Sequence, residues 1–207
     1  MYLHPRSIYN PLSQANRFTM PLSAKQVERA KRAVCKVMCV GRDLNWTQPY
    51  LEEEENVFGG TAFFVDAPTE FQWTGCGPLH KRTPHHKDTR YALTNFHVVE
   101  TLIDGKCLLR YPDRGASAIT ATVMYICPAL DVAILSIDPH GDHPMWFDSG
   151  DVRDFIASIP NLKLETKMAI KGNSQPVMAI GFPNLSQDYQ LCKGCVSGRE
   201  MGMIQLR

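Results

Sequence analysis

Between Val34 and Ile137 the chain breaks into six short runs of apolar, β-branched and aromatic residues, most of them ended by glycine, proline or charged turn residues. That rhythm constrains the fold more than any other feature, because such runs read as strands. They are Val34–Val40, Thr61–Val65, Tyr91–Asn95, Lys106–Tyr111, Ala118–Ile126 and Val132–Ile137. Gly41-Arg42-Asp43 and Pro112-Asp113-Arg114-Gly115 are turn signals, and Gly59-Gly60 lets the backbone enter the second strand at close quarters. Ahead of the strands, Ser23 with Gln26 has capping-box spacing, and Val27, Ala30 and Val34 recur at helical intervals. A short N-terminal helix is predicted, with Lys25, Glu28, Arg29, Lys31 and Arg32 as its solvated face. The expected class is all-β with that one helix in front.

A chain of 207 residues can bury a core without disulfide staples. Its formal net charge of +1 argues against a nucleic-acid binder, which needs a basic excess to displace counterions. Seven cysteines without framework spacing, and no charged stretch leading into an apolar run at the start, predict an intracellular, reducing and cytoplasmic setting. No run of about 18 apolar residues occurs, so no membrane-spanning helix is expected. Residues 1–22 hold Arg6 and Arg17 but no acid, as an organellar targeting segment would. Pro5, Pro11 and Pro21 interrupt the helix such a segment needs, so an extended arm is the reading.

The chemistry-bearing residues are few. His97 follows Tyr91–Asn95 where a strand gives way to a turn, and Asp131 stands just before Val132–Ile137. Each has a plain alternative, a satisfied structural histidine and a turn aspartate. The insertion at about 67–90 reads as a long hairpin loop and carries Cys76, His80, His85 and His86, whose spacing fits no closed zinc pattern. Cys192-Lys193-Gly194-Cys195 falls in a strand-like run, where side chains three apart point to opposite faces. Neither these nor Cys35 and Cys39 predict a metal, and no cofactor is expected.

Three stretches together resemble the first barrel of a trypsin-like protease of the HtrA/Deg type. They are Phe58-Gly59-Gly60-Thr61-Ala62-Phe63-Phe64-Val65-Asp66, a "TN.HV" histidine at Thr94–Val98, and a "D.A.L" aspartate at Asp131–Leu135. Further on, Ala179–Pro183 is similar to that family's "AIG.P" strand, Gly194–Gly198 to its "G.VSG" strand, and Ile204-Gln205 to its "IQ" strand. The resemblance covers about Phe58 to Gln205 and implies a double β-barrel. Residues 139–165 have few strand signals and several of loop or helix (Pro139, Gly141, Asp142, Pro144, then Asp151 to Ala157), so the chain is expected to divide into an arm (1–22), the helix and a six-stranded first barrel (23–138), a connection (139–165) and an incomplete second barrel (166–207).

The resemblance also implies a serine endopeptidase acting on polypeptides. A serine hydroxyl is a weak nucleophile until an imidazole takes its proton, while a carboxylate holds that imidazole in the right tautomer. His97 fits the base and Asp131 the orienter. The family's Gly-Asn/Asp-Ser-Gly-Gly loop, with serine and oxyanion hole, is expected beyond Arg207, so the remainder of the protease domain becomes an expected partner. Gly172-Asn173-Ser174 follows His97 and Asp131 in the family's order, yet Gln175-Pro176 replaces the two glycines and the "AIGFP" strand comes after it. Ser174 reads as a turn residue. The alternatives are an inactive pseudoprotease kept as a protein-binding module and a structural protein sharing the β fold.

Overall fold

The computed structural model of the chain describes residues 23–42, 47, 54–66, 88–102, 104–164, 176–183 and 186–195. Helix α1 (Ala24–Ala33) starts at the expected capping box, with the Gln26 N–H donating to Ser23 Oγ at 3.3 Å and the Ser23 N–H to Gln26 Oε1 at 2.8 Å. It passes straight into β1 (Val34–Gly41). Two residues of its predicted solvated face reach back to the protein, Arg29 donating to the Asn161 carbonyl at 3.3 Å and Arg32 to the Ser158 carbonyl at 3.2 Å.

Strands β2 (Asn56–Val65), β3 (Arg90–Thr94), β4 (Lys106–Arg110), β5 (Ala118–Cys127) and β6 (Val132–Ile137) join β1 in a closed antiparallel barrel, ordered β1-β2-β3-β6-β5-β4. All six fall on the six runs read from the sequence. Closure removes the open sheet edges at which chains otherwise aggregate. Alternate residues point inward: Cys35, Val37 and Cys39 on β1, Ala62 and Phe64 on β2, Leu109 on β4, Ile119 and Ala121 on β5, and Ala133, Leu135 and Ile137 on β6, all at most 1% exposed. Each large aliphatic or aromatic side chain so buried contributes about 1.5–3 kcal/mol. A register shift between Val123 and Tyr125 marks a bulge in β5, which adds the local twist a small barrel needs.

Within the connection, residues 139–164 cover one end of this barrel. Its helix α3 (Val152–Ser158) is capped by Asp151, whose side chain accepts the Arg153 N–H, and it buries Ile156 completely in the core. Phe155 and Trp146 pack alongside, with ring centroids 5.0 Å apart. Arg90, the first residue of β3, donates to the carbonyls of Ile156 at 3.0 Å, Ala157 at 3.3 Å and Ile159 at 2.6 Å. A guanidinium at a helix C-terminus satisfies orphan carbonyls and opposes the helix dipole, so Arg90 fastens α3 to the strand that leads to His97.

Strands β7 (Pro176–Gly181) and β8 (Gln190–Cys195) pair antiparallel as a separate two-stranded sheet. Its hold on the barrel centres on Thr61. Thr61 Oγ1 accepts the Phe182 N–H at 2.8 Å, its carbonyl accepts Thr94 Oγ1 at 2.9 Å, and a Cβ at Gly181 would lie 2.9 Å from its hydroxyl. The expected strand at Met203–Leu206 and the arm at 1–22 lie outside the described residues. No described helix is long and apolar enough to cross a membrane.

Candidate active site

His97 sits in a single helical turn, α2 (Phe96–Val99), between β3 and the loop to β4. A turn of this length has no stability of its own, because nucleation costs more than one hydrogen bond returns. Packing holds it. Val98 and Val99 are buried, and Val98 lies over Gly60, where a Cβ would come within 2.6 Å of its Cγ2. Only glycine leaves that room, so Gly60 in β2 and Val98 of α2 are matched parts. With both valines turned inward, the His97 imidazole points out.

Asp131 arrives from the opposite direction. Pro128–Leu130 forms one 3₁₀ turn after β5, and Asp131 leaves it with φ 51° and ψ 47°, the left-handed region, before β6 begins. Among the described residues it alone has positive φ without being glycine. Aspartate is one of the few residues that visits this region, and in this conformation its carboxylate meets α2.

The two residues meet in a two-point clasp. Asp131 Oδ1 accepts the His97 main-chain N–H at 3.0 Å, and Oδ2 lies 2.7 Å from Nδ1 of the ring. An ionised carboxylate can only accept, so Nδ1 carries the proton and Nε2 is left as the acceptor. Asn95 Nδ2 donates to Oδ2 at 3.1 Å and to the Asp131 carbonyl at 3.2 Å. The His97 main-chain N–H first, then the imidazole and the Asn95 amide, hold the Asp131 carboxyl below the usual carboxylate range. The side chains are 63% exposed at His97 and 44% at Asp131, so the far side of the ring is open to an incoming group. This arrangement can take a proton at Nε2 and stabilise the imidazolium that results.

The other sequence candidates fare differently. Ser174 lies outside the described residues, as do Cys76, His80, His85 and His86. Cys192 is exposed on β8, while Cys35, Cys39 and Cys107 are buried in the barrel, where burial pushes the Cys35 thiol up to about 12. Among the described residues no group of three or more His, Cys, Asp or Glu is placed to hold a metal ion. Asn95 lies within the "TN.HV" stretch, where the sequence alone assigns it no role. Nothing in the sequence links an amide at 95 to an aspartate at 131 until the barrel pairs β3 with β6. Compared with protein-family models and with curated proteins, the chain matches none.

Proposed function

We propose that this chain is the His/Asp-bearing part of a trypsin-like serine endopeptidase of the HtrA/Deg type, with β7 and β8 opening its second barrel and its nucleophilic serine beyond Arg207. The observation that carries the reading is the clasp of His97 by Asp131, Oδ2 to Nδ1 at 2.7 Å and Oδ1 to the main-chain N–H at 3.0 Å, with the other face of the imidazole open. A buried structural histidine would spend both ring nitrogens on the protein, whereas the His97 ring is 63% exposed. A turn aspartate would bond its own neighbours. The closed six-stranded barrel, with both residues at the ends of its strands, agrees with this reading.

In the proposed reaction His97 Nε2 removes the serine proton as Oγ attacks the scissile carbonyl. Asp131 holds the ring in the Nδ1–H tautomer and stabilises the imidazolium, which then gives its proton to the leaving amine. Main-chain N–H groups of the serine loop would stabilise the tetrahedral oxyanion, and losing one such donor costs about 10²–10³ in kcat. Residues 1–207 alone should therefore leave casein and fluorogenic peptides uncut, and the segment encoded downstream, added in trans or in continuous chain, should restore hydrolysis. Hydrolysis by residues 1–207 that disappears in Ser174→Ala would move the nucleophile to Ser174. Continued inactivity with the downstream segment present would favour the protein-binding module.

A further inference from the structure

Asn95 occupies the N-cap position of α2, where an Asn side chain ordinarily accepts a main-chain N–H of the first turn. It makes no such bond. The His97 N–H that it could have capped is taken instead by Asp131 Oδ1 at 3.0 Å, from across the β3–β6 pair. The freed amide of Asn95 turns the other way and donates to Asp131 twice, to carboxylate Oδ2 at 3.1 Å and to the main-chain carbonyl at 3.2 Å. These two atoms sit on either side of the Asp131 Cα, and holding both fixes the backbone and the carboxylate together. Asp131 is also the residue whose left-handed backbone most needs holding among the described residues.

We propose that Asn95 is a positioning residue for the dyad: its amide locks Asp131 in the left-handed conformation that presents Oδ2 to His97 Nδ1, and so fixes the imidazole tautomer. The inference deepens the protease reading and rests on it for its catalytic consequence, though not for its geometry. Oδ2 then has two donors, one from Asn95 and one from the ring, and Oδ1 has the His97 N–H. With the Asn95 donor removed, the carboxylate can rotate and the ring is free to place its proton on Nε2, the wrong nitrogen for a base.

The test has two readouts. In ¹⁵N-labelled residues 1–207, the His97 ring signals are identified by their loss in His97→Gln, and their shifts report which nitrogen holds the proton. Wild type should be Nδ1–H, and Asn95→Ala should move a large share of the population to Nε2–H. In the protein extended past Arg207, Asn95→Ala should lower kcat/KM by about 10–100-fold through kcat, the size expected for one lost bond to a charged group. Asn56→Ala, which removes an amide on the barrel surface, should change neither. Asn95→Ser keeps a capping side chain too short to span to Asp131, and it serves if the alanine variant does not fold. An unchanged tautomer in the folded Ala or Ser variant overturns the proposal. A shifted tautomer in a protein whose wild type cuts no peptide upholds the positioning role and removes the protease reading instead.

Discussion

Asp131 carries two burdens at the residue scale, a left-handed backbone and a carboxylate clasped by three donors around His97. They can be separated by substitution. A glycine accepts φ 51° without strain and an alanine does not, so Asp131→Gly should be more stable than Asp131→Ala by about 1 kcal/mol, although glycine is the floppier residue when unfolded. The carboxylate shows itself in acid. Its folded pKa lies below the unfolded value, so its contribution is fully present above the ordinary carboxylate range and is lost as pH falls through the lower folded value. Urea midpoints measured from neutral pH into acid should fall less steeply for Asp131→Asn than for wild type. Equal slopes, or an alanine variant as stable as the glycine one, would contradict this account of Asp131.

At the scale of elements, the legible part was the part governed by local periodicity. Strands β4 and β6 alternate more and less buried residues along runs that the sequence displays, and the capping box of α1 is written in Ser23 and Gln26. What could not be read depends on contacts between distant segments. The turn α2 is helical because Val98 fits over Gly60 and because Asp131 accepts the His97 N–H, and neither cause lies within four residues of it. The stretch after β6 reads as connection because its signals are those of loop and helix, yet Ile156, Phe155 and Trp146 pack it onto the barrel core as a cap. His97 and Asp131 could be picked out, but Asn95 acquires its role only when β3 and β6 pair. The Gly60 and Val98 pair offers the check. Gly60→Ala should destabilise by about 1–3 kcal/mol through overpacking, and the double variant Gly60→Ala, Val98→Ala should cost clearly less than the sum of its parts by urea unfolding. Additive losses would mean that α2 is held by something other than this contact.

For the whole molecule, the cap formed by α3 and the β7–β8 pair hold opposite ends of β3, the strand that leads to His97. Arg90 ties the cap to the start of β3, and Thr61 links the end of β3 to Phe182 beside β7 by accepting from Thr94 Oγ1 and from the Phe182 N–H. The strand leading to His97 is thus braced at its start by the cap and near its end by β7 and Phe182, which fixes where the imidazole stands, as the proposed role of a general base would require. In the proposed reading this braced imidazole serves a serine supplied from beyond Arg207. The most direct measurement is covalent labelling by a fluorophosphonate of the protein continued through its downstream sequence, in which serine Oγ displaces fluoride at phosphorus and His97 takes the proton. One modified serine per molecule is expected, located after Arg207 by peptide mapping, with the labelling rate lower by about 10⁴-fold or more in His97→Ala. No labelling of the extended protein, or labelling that proceeds as fast without the imidazole, would contradict that reading.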